Sequence, residues 1–285
     1  MEAIPSNPRG DGEPAISFVS KALASKLHVA SANKSSLAHC RNDEETYWKL
    51  QRLARQNDVL YKHESAVMDG VPLFSLWKYT MPHARLLSLR GCLNSTTTII
   101  LSRMEGNLFE CDGSKSKPDD GESFHEALHA AKEMGIVEED EGLDLDGYDA
   151  AVKLRALLVF CNADGEVAVP RMEDIPRASI RNITREEIVR AYENGRKKYR
   201  LVATARMVDC DVRTAATQKW DASVELRLLS PSDPLYGISG TDASVQFCTD
   251  VLGPMTVYSS NPTLVDTAYG LFADIVSIAG ESKTS

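Results

Sequence analysis

At 285 residues with 43% apolar side chains, the chain has material for one large domain or two modest ones around a substantial core. Its formal charge of −9 and pI near 5.3 supply no basic field for nucleic acid, and no run of about 18 apolar residues exists to cross a membrane. The six cysteines (Cys40, Cys92, Cys111, Cys161, Cys210, Cys248) form no C-x-x-C pair and do not cluster with the six histidines, which excludes a zinc site and reads as reduced thiols in a cytoplasmic protein.

In chain order, residues 2–14 are rich in Pro, Gly and Asn, with neither the basic nor the apolar region of a secretory signal. Ile16, Val19 and Leu23 then recur at helical spacing over 15–25. A short β-like run at 28–32, a helix over 44–56 and a strand at 59–61 follow. Loop, helix, strand, helix, strand is the order of half a parallel α/β sheet. Residues 86–93 alternate as a strand and run into Asn94-Ser95-Thr96-Thr97-Thr98, a polar opening to the helical stretch 99–105. Residues 111–121 have the composition of a surface insertion. Helices are expected at 123–134, 147–161, 184–198 and 263–279, and strands at 200–208, 222–229, 244–250 and 254–258. The fold expected is α/β plus α+β: a partial Rossmann-type nucleotide domain over 1–62, completed by a C-terminal helix within 263–285, and a mixed-sheet domain over 63–262 with helices on one face.

Residues 138–153, EEDEGLDLDGYDAAVK, stand out. Seven of the first twelve are acidic, and the stretch then becomes the apolar run AAVKLRALLVF with one lysine inside it. Asp146 reads as an N-cap, with Asp149 at the third helical position. Asp149 and Lys153 lie four apart and share a helix face. One reading is a capping residue and a surface ion pair. The other is a pair facing a cleft, since apolar residues occupy nearly every other direction of this helix. A calcium loop is excluded: with Gly147 as its glycine, the positions that need carboxylates fall on Gly142 and Lys153.

Six collinear segments resemble homoserine dehydrogenase: AIPSNPRGDGEPA (3–15), HVASANK (28–34), HESAVMDGVP (63–72), RGCLNSTTTIILSRME (90–105), GIVEEDEGLDLDGYDAAVKL (135–154) and GTDASVQFCTDVLGP (240–254). The resemblance implies interconversion of L-aspartate 4-semialdehyde and L-homoserine with NAD or NADP, in threonine and methionine biosynthesis, by a homodimer. It also implies roles. Lys153 would give a proton to the aldehyde oxygen and Lys34 would be a second proton carrier. Asp149 would orient lysine or substrate, Glu138 and Asp144 would hold the substrate's α-ammonium, and Thr96 would lie at the substrate turn. Ser6, Asn7, Asn33 and Lys34 would border the nicotinamide. Glu64, Val67, Asp69 and Val71 match a monovalent-cation loop that acts mostly through main-chain carbonyls. Hydride transfer to a carbonyl builds negative charge on oxygen, so ammonium groups suit the reaction.

One departure stands out. Such enzymes hold the pyrophosphate on a G-x-G-x-x-G turn, and GDGEPA at 10–15 lacks the third glycine and follows no strand. The first part of the nucleotide fold is therefore expected to be missing, which leaves three readings: an enzyme, a non-catalytic relative that binds substrate or pairs subunits, and a fragment of a longer product. NAD and NADP are not distinguished.

Overall fold

The computed structural model describes residues 1–285 except 5, 7–8, 42–43, 110–120, 138–139, 163–166, 210–217 and 282–285. Asn7, Glu138 and nearly all of the insertion at 111–121 lie outside the described residues.

The N-terminal part begins with α1 (Ala15–Ala24), which buries Ala15, Ile16, Val19 and Leu23, one apolar stripe at the helical period. β1 (Val29–Ala30), α2 (Ser35–Ala38), the antiparallel pair β2 (Cys40–Arg41) and β3 (Glu44–Glu45), α3 (Thr46–Gln56) and β4 (Tyr61–Lys62) follow. β1 and β4 pair in parallel, Val29 opposite Tyr61, and Glu2 bridges in parallel to Ser31 on the other side. The expected half sheet is present, reduced to very short strands. Ile4 is 38% exposed, whereas Val29 and Val59 are buried.

After a 3-10 turn at Glu64–Ala66, α4 (Leu73–Ser75) runs into a π turn at Leu76–Thr80. β5 (Leu86–Cys92), α5 (Ser95–Glu105), α6 (Phe124–Glu133), α7 (Glu141–Leu145), α8 (Tyr148–Cys161), α9 (Arg185–Glu193), β6 (Lys198–Asp209), β7 (Gln218–Leu229), β8 (Ala243–Thr249) and β9 (Met255–Ser259) complete this part. Five strands form one sheet in the order β7-β6-β5-β8-β9. The strand pairings are antiparallel, as the short β6–β7 and β8–β9 connections require, and Arg177 adds an isolated parallel bridge to Val224 on β7. Leu201, Ala203, Ala205, Ala222, Val224, Val245 and Phe247 line the inner face beneath the helices. Leu235 and Ile238 cover part of the other face over Cys92, Val202 and Leu229.

α9 stops at Glu193, short of the expected 198, where Asn194 is followed by Gly195 at φ 102°. Residues 196–197 turn the chain into β6, which starts at Lys198. Arg200 lies fully buried beneath the sheet and grips Glu105 at the end of α5 through two contacts of 2.5 and 3.0 Å, with Ile238 O accepting two more.

The last helix, α10 (Leu264–Glu281), returns to the N-terminal part. Lys62 Nζ donates to Ser277 Oγ and Glu281 Oε1 at 2.8 and 2.6 Å, and Glu64 N donates to Asp274 Oδ2 at 2.9 Å. Gly70 and Gly270 let the backbones meet, since a Cβ on Gly70 would sit 2.2 Å from Asp266 O and one on Gly270 2.3 Å from Ser65 Oγ. The outward side of α10 is apolar, with Leu264 88% and Phe272 59% exposed.

Candidate active site

Asp146 does not cap α8. Its carboxylate is taken by Ser179 Oγ at 2.7 Å and Arg181 Nε at 3.1 Å, because the acidic stretch before it folds as a helix of its own, α7, capped by Asp140 accepting from Gly142 N. Gly147 then starts α8 at φ 71°, where a Cβ would lie 3.0 Å from Ala178 O. Asp149 falls at the second helical position. From there to Cys161 every residue except Lys153 is buried.

The pair suspected from spacing exists: Lys153 Nζ lies 2.9 Å from Asp149 Oδ2 and donates to Leu93 O at 2.9 Å. Lys34, just before α2, places its ammonium 2.5 Å from Asp149 Oδ1. Two ammoniums thus share one buried carboxylate. The carboxylate is 5% exposed and the lysines 22% and 21%, so the cations form the accessible side of the cluster. Burial by itself raises the Asp149 pKa, but the Lys153 and Lys34 charges more than reverse this and hold it well below the carboxylate range.

Asn94 completes the floor. It caps α5, its Oδ1 accepting from Thr97 N at 2.8 Å, and its Nδ2 bridges Asp144 Oδ1 at 2.7 Å and Asp149 Oδ2 at 3.0 Å. Thr96 Oγ1 reaches Ile136 O at 3.3 Å on the same turn. Next to Lys34, Ser6 Oγ donates to Asn33 Oδ1 at 3.0 Å and lies 2.7 Å from Ser35 Oγ, while Asn33 Nδ2 donates to Ile4 O.

The fold therefore gathers Lys34, Lys153, Asp149, Asp144 and Thr96, with Ser6 and Asn33 adjoining through Lys34. Glu64, Val67, Asp69 and Val71 form a separate loop against α10. There the Glu64 carboxylate accepts from Phe74 N and Ser75 N, Asp69 accepts from Thr267 Oγ1, and Met68 and Asp69 are successive left-handed residues at φ 57° and 60°. Asn94 was not singled out as a site residue; Asn before Ser-Thr-Thr-Thr signals a cap, and nothing in that pattern signals the bridge to two acids. A cleft of about 460 Å³ is lined by Arg9, His39, Tyr148, Arg155 and Arg171.

A parallel β fragment with an ammonium-carboxylate cluster at its side suits an oxidoreductase that reduces a carbonyl, where the ammoniums answer the charge built on oxygen. The family model described as homoserine dehydrogenase matches residues 72–276. The NAD(+)-dependent homoserine dehydrogenase of Pseudomonas canavaninivorans is 31% identical over 277 residues, which cover 97% of this chain and 69% of that protein. A homoserine dehydrogenase structure from Thiobacillus denitrificans superposes with a TM-score of 0.74 at 25% identity, covering 93% of this chain and 54% of that one. A hyperthermophilic archaeal homoserine dehydrogenase in complex with NADPH shares the fold at a TM-score of 0.71 and 24% identity, covering 98% and 71%. The chain belongs to the homoserine dehydrogenase family, whose Pseudomonas canavaninivorans member is NAD(+)-dependent.

These 285 residues fit one end of that cofactor. Ser6, Asn33 and Lys34 supply hydroxyl, amide and ammonium groups in one corner beside β1, suited to a nicotinamide carboxamide. No G-x-G-x-x-G sequence is present to take the pyrophosphate.

Proposed function

We propose that the chain interconverts L-aspartate 4-semialdehyde and L-homoserine, with Lys153 as the group that protonates the aldehyde oxygen. The observation that carries this reading is the single Asp149 carboxylate holding both Lys153 and Lys34. A bound nicotinamide supplies the hydride; the protein's part is to neutralise the oxygen and deliver its proton. Lys153, fixed by Leu93 O and Asp149, presents its remaining N–H toward the accessible side. Lys34 is the second proton carrier. Asp149 positions both ammoniums. Asp144, buried beneath Asn94, acts on the substrate's α-ammonium by its field rather than by contact, and Thr96 shapes the same wall. Lys153→Ala should lower kcat by ~10²–10⁴ and leave KM little changed. Retention of more than about a tenth of the parent's kcat would make Lys153 structural.

The chain is further read as a cytoplasmic homodimer. Supporting this, the described cysteines Cys40, Cys92, Cys161 and Cys248 are all free thiols, and the helices cover only one face of the five-stranded sheet. Light scattering at micromolar concentration should give twice the 31.3 kDa chain mass, and a monomer would exclude the pairing. No described helix is long and apolar enough to cross a membrane.

A further inference from the structure

α2 is only four residues long, yet it is clamped to α8 at both ends. At its start the Lys34 ammonium meets Asp149; at its end Ala38 O accepts from Arg155 Nη1 at 2.5 Å. Lys34 and Ala38 are about 6 Å apart along one helix axis, and Asp149 and Arg155 about 9 Å apart along the other. Two rungs that far apart fix both the height and the tilt of α2 on α8. One rung alone would let it pivot.

Arg155 is 1% exposed and its donors are divided among three other segments. Nη1 and Nη2 hold Glu45, just before α3, at 3.0 and 2.7 Å; Nη1 also holds the end of α2; Nε donates to Pro170 O at 2.8 Å beyond α8. A buried ion pair is weak grounds for stability, since a well-packed apolar side chain of similar volume often does as well. A planar guanidinium with donors aimed at fixed angles does something an apolar chain cannot: it sets orientation. The side chain leaves the same helix that carries Asp149 and Lys153, and it reaches the end of α2, ahead of the β2–β3 pair, and Glu45 at the end of β3.

We infer that Arg155 is a positioning residue of the lysine pair, setting through Ala38 and Glu45 the place at which Lys34 meets Asp149. This rests on the reading of Lys34 as a proton carrier, but its geometry is testable without turnover. The probe is brief acylation of the folded chain with acetic anhydride, read by mass spectrometry. Lys153, held within α8 itself, serves as the internal reference.

In Arg155→Met, which keeps most of the volume, the Lys34 to Lys153 labelling ratio should rise about fivefold, the scale of breaking one partly exposed ion pair. Arg155→Lys keeps a charge but not the fork, and should give an intermediate ratio. If Arg155→Met does not fold, Glu45→Gln, which keeps the shape of the partner, should move the ratio the same way by less. An unchanged ratio in either folded variant overturns the inference, whatever the loss of thermal stability. Turnover of Lys34→Ala is a separate reading: full activity there would remove the proton-carrier role while leaving the placement by Arg155 as measured.

Discussion

At the scale of single residues, the site is a problem in compensating buried charge. Asp149 is tolerated because two ammoniums and one amide answer it, and Asp144 because the same amide does. Asn94 is thus cap and bridge at once. Asn94→Ala should cost at least ~2 kcal/mol, a lost cap at ~1 kcal/mol and the rest from two carboxylates each short of a donor. Asn94→Ser restores the cap alone and should recover only that ~1 kcal/mol; urea unfolding of the three proteins measures both steps. If serine recovers everything, the bridge contributes nothing to stability. How legible these residues were follows from the range of their interactions. Asp149 and Lys153 are four apart on one helix, so spacing reveals them. Lys34 reaches Asp149 across more than a hundred residues of sequence, and only resemblance pointed to it. The Asn94 bridge needs the ends of three elements to converge, and no local pattern encodes that.

At the scale of elements, segments with a period of their own were readable and those without one were not. α1, α6, α8, α10 and β5 to β9 lie within a few residues of expectation, because each carries enough turns or alternations to declare its period. β1 and β4, two residues each, fall in the expected β-like runs at 28–32 and 59–61, whereas β2, β3 and α7 carry no period of their own and tertiary packing decides them. α10 shows how such packing is tuned. Burial pushes the pKa of Asp274 up to about 6; the N–H it accepts from Glu64 opposes this, and the Glu64 charge adds to it. Lys62 also faces it with an opposing effect. The folded value is raised above the unfolded one, near 3.9, so the favourable contribution is complete below about pH 4 and is lost as pH rises through about 6. Asp149, whose pKa is depressed, loses its contribution only at pH values below that window. Between about pH 4 and 6 the docking of α10 should therefore weaken with rising pH. Asp274→Asn keeps an oxygen for the Glu64 N–H and removes the charge, so it should abolish that slope and raise Tm at pH 7.5. A melting series across pH 4–8 that shows equal slopes for both proteins would rule out Asp274 as the origin.

At the scale of the whole molecule, the chemistry and the cofactor grip are unequally represented. The lysine cluster is assembled around α2, α7, α8 and the start of α5, all among the described residues. The parallel sheet consists of β1, β4 and the Glu2 bridge, and the outward side of α10 is left apolar. In a Rossmann fold most of the dinucleotide's binding energy comes from the glycine turn after the first strand, whose N–H groups take the pyrophosphate, and from a side chain about 20 residues on that takes the ribose. Without such a turn, the corner of Ser6, Asn33 and Lys34 can offer only hydrogen bonds to the nicotinamide end. Several charge-assisted bonds at ~1.5–3 kcal/mol each are then absent, which amounts to at least about three orders of magnitude in affinity. A polypeptide of these 285 residues alone should bind NADPH and NADH no tighter than about millimolar and turn over aspartate semialdehyde poorly. Adding a glycine-turn strand-helix unit ahead of Met1 should bring both binding and turnover up together. The check is fluorescence titration of both polypeptides with each nucleotide. Micromolar affinity in the 285-residue chain would mean that the pyrophosphate is held by other groups, and the cleft that Arg9 and Arg171 line would be the first place to look, since guanidiniums bind phosphates through paired donors.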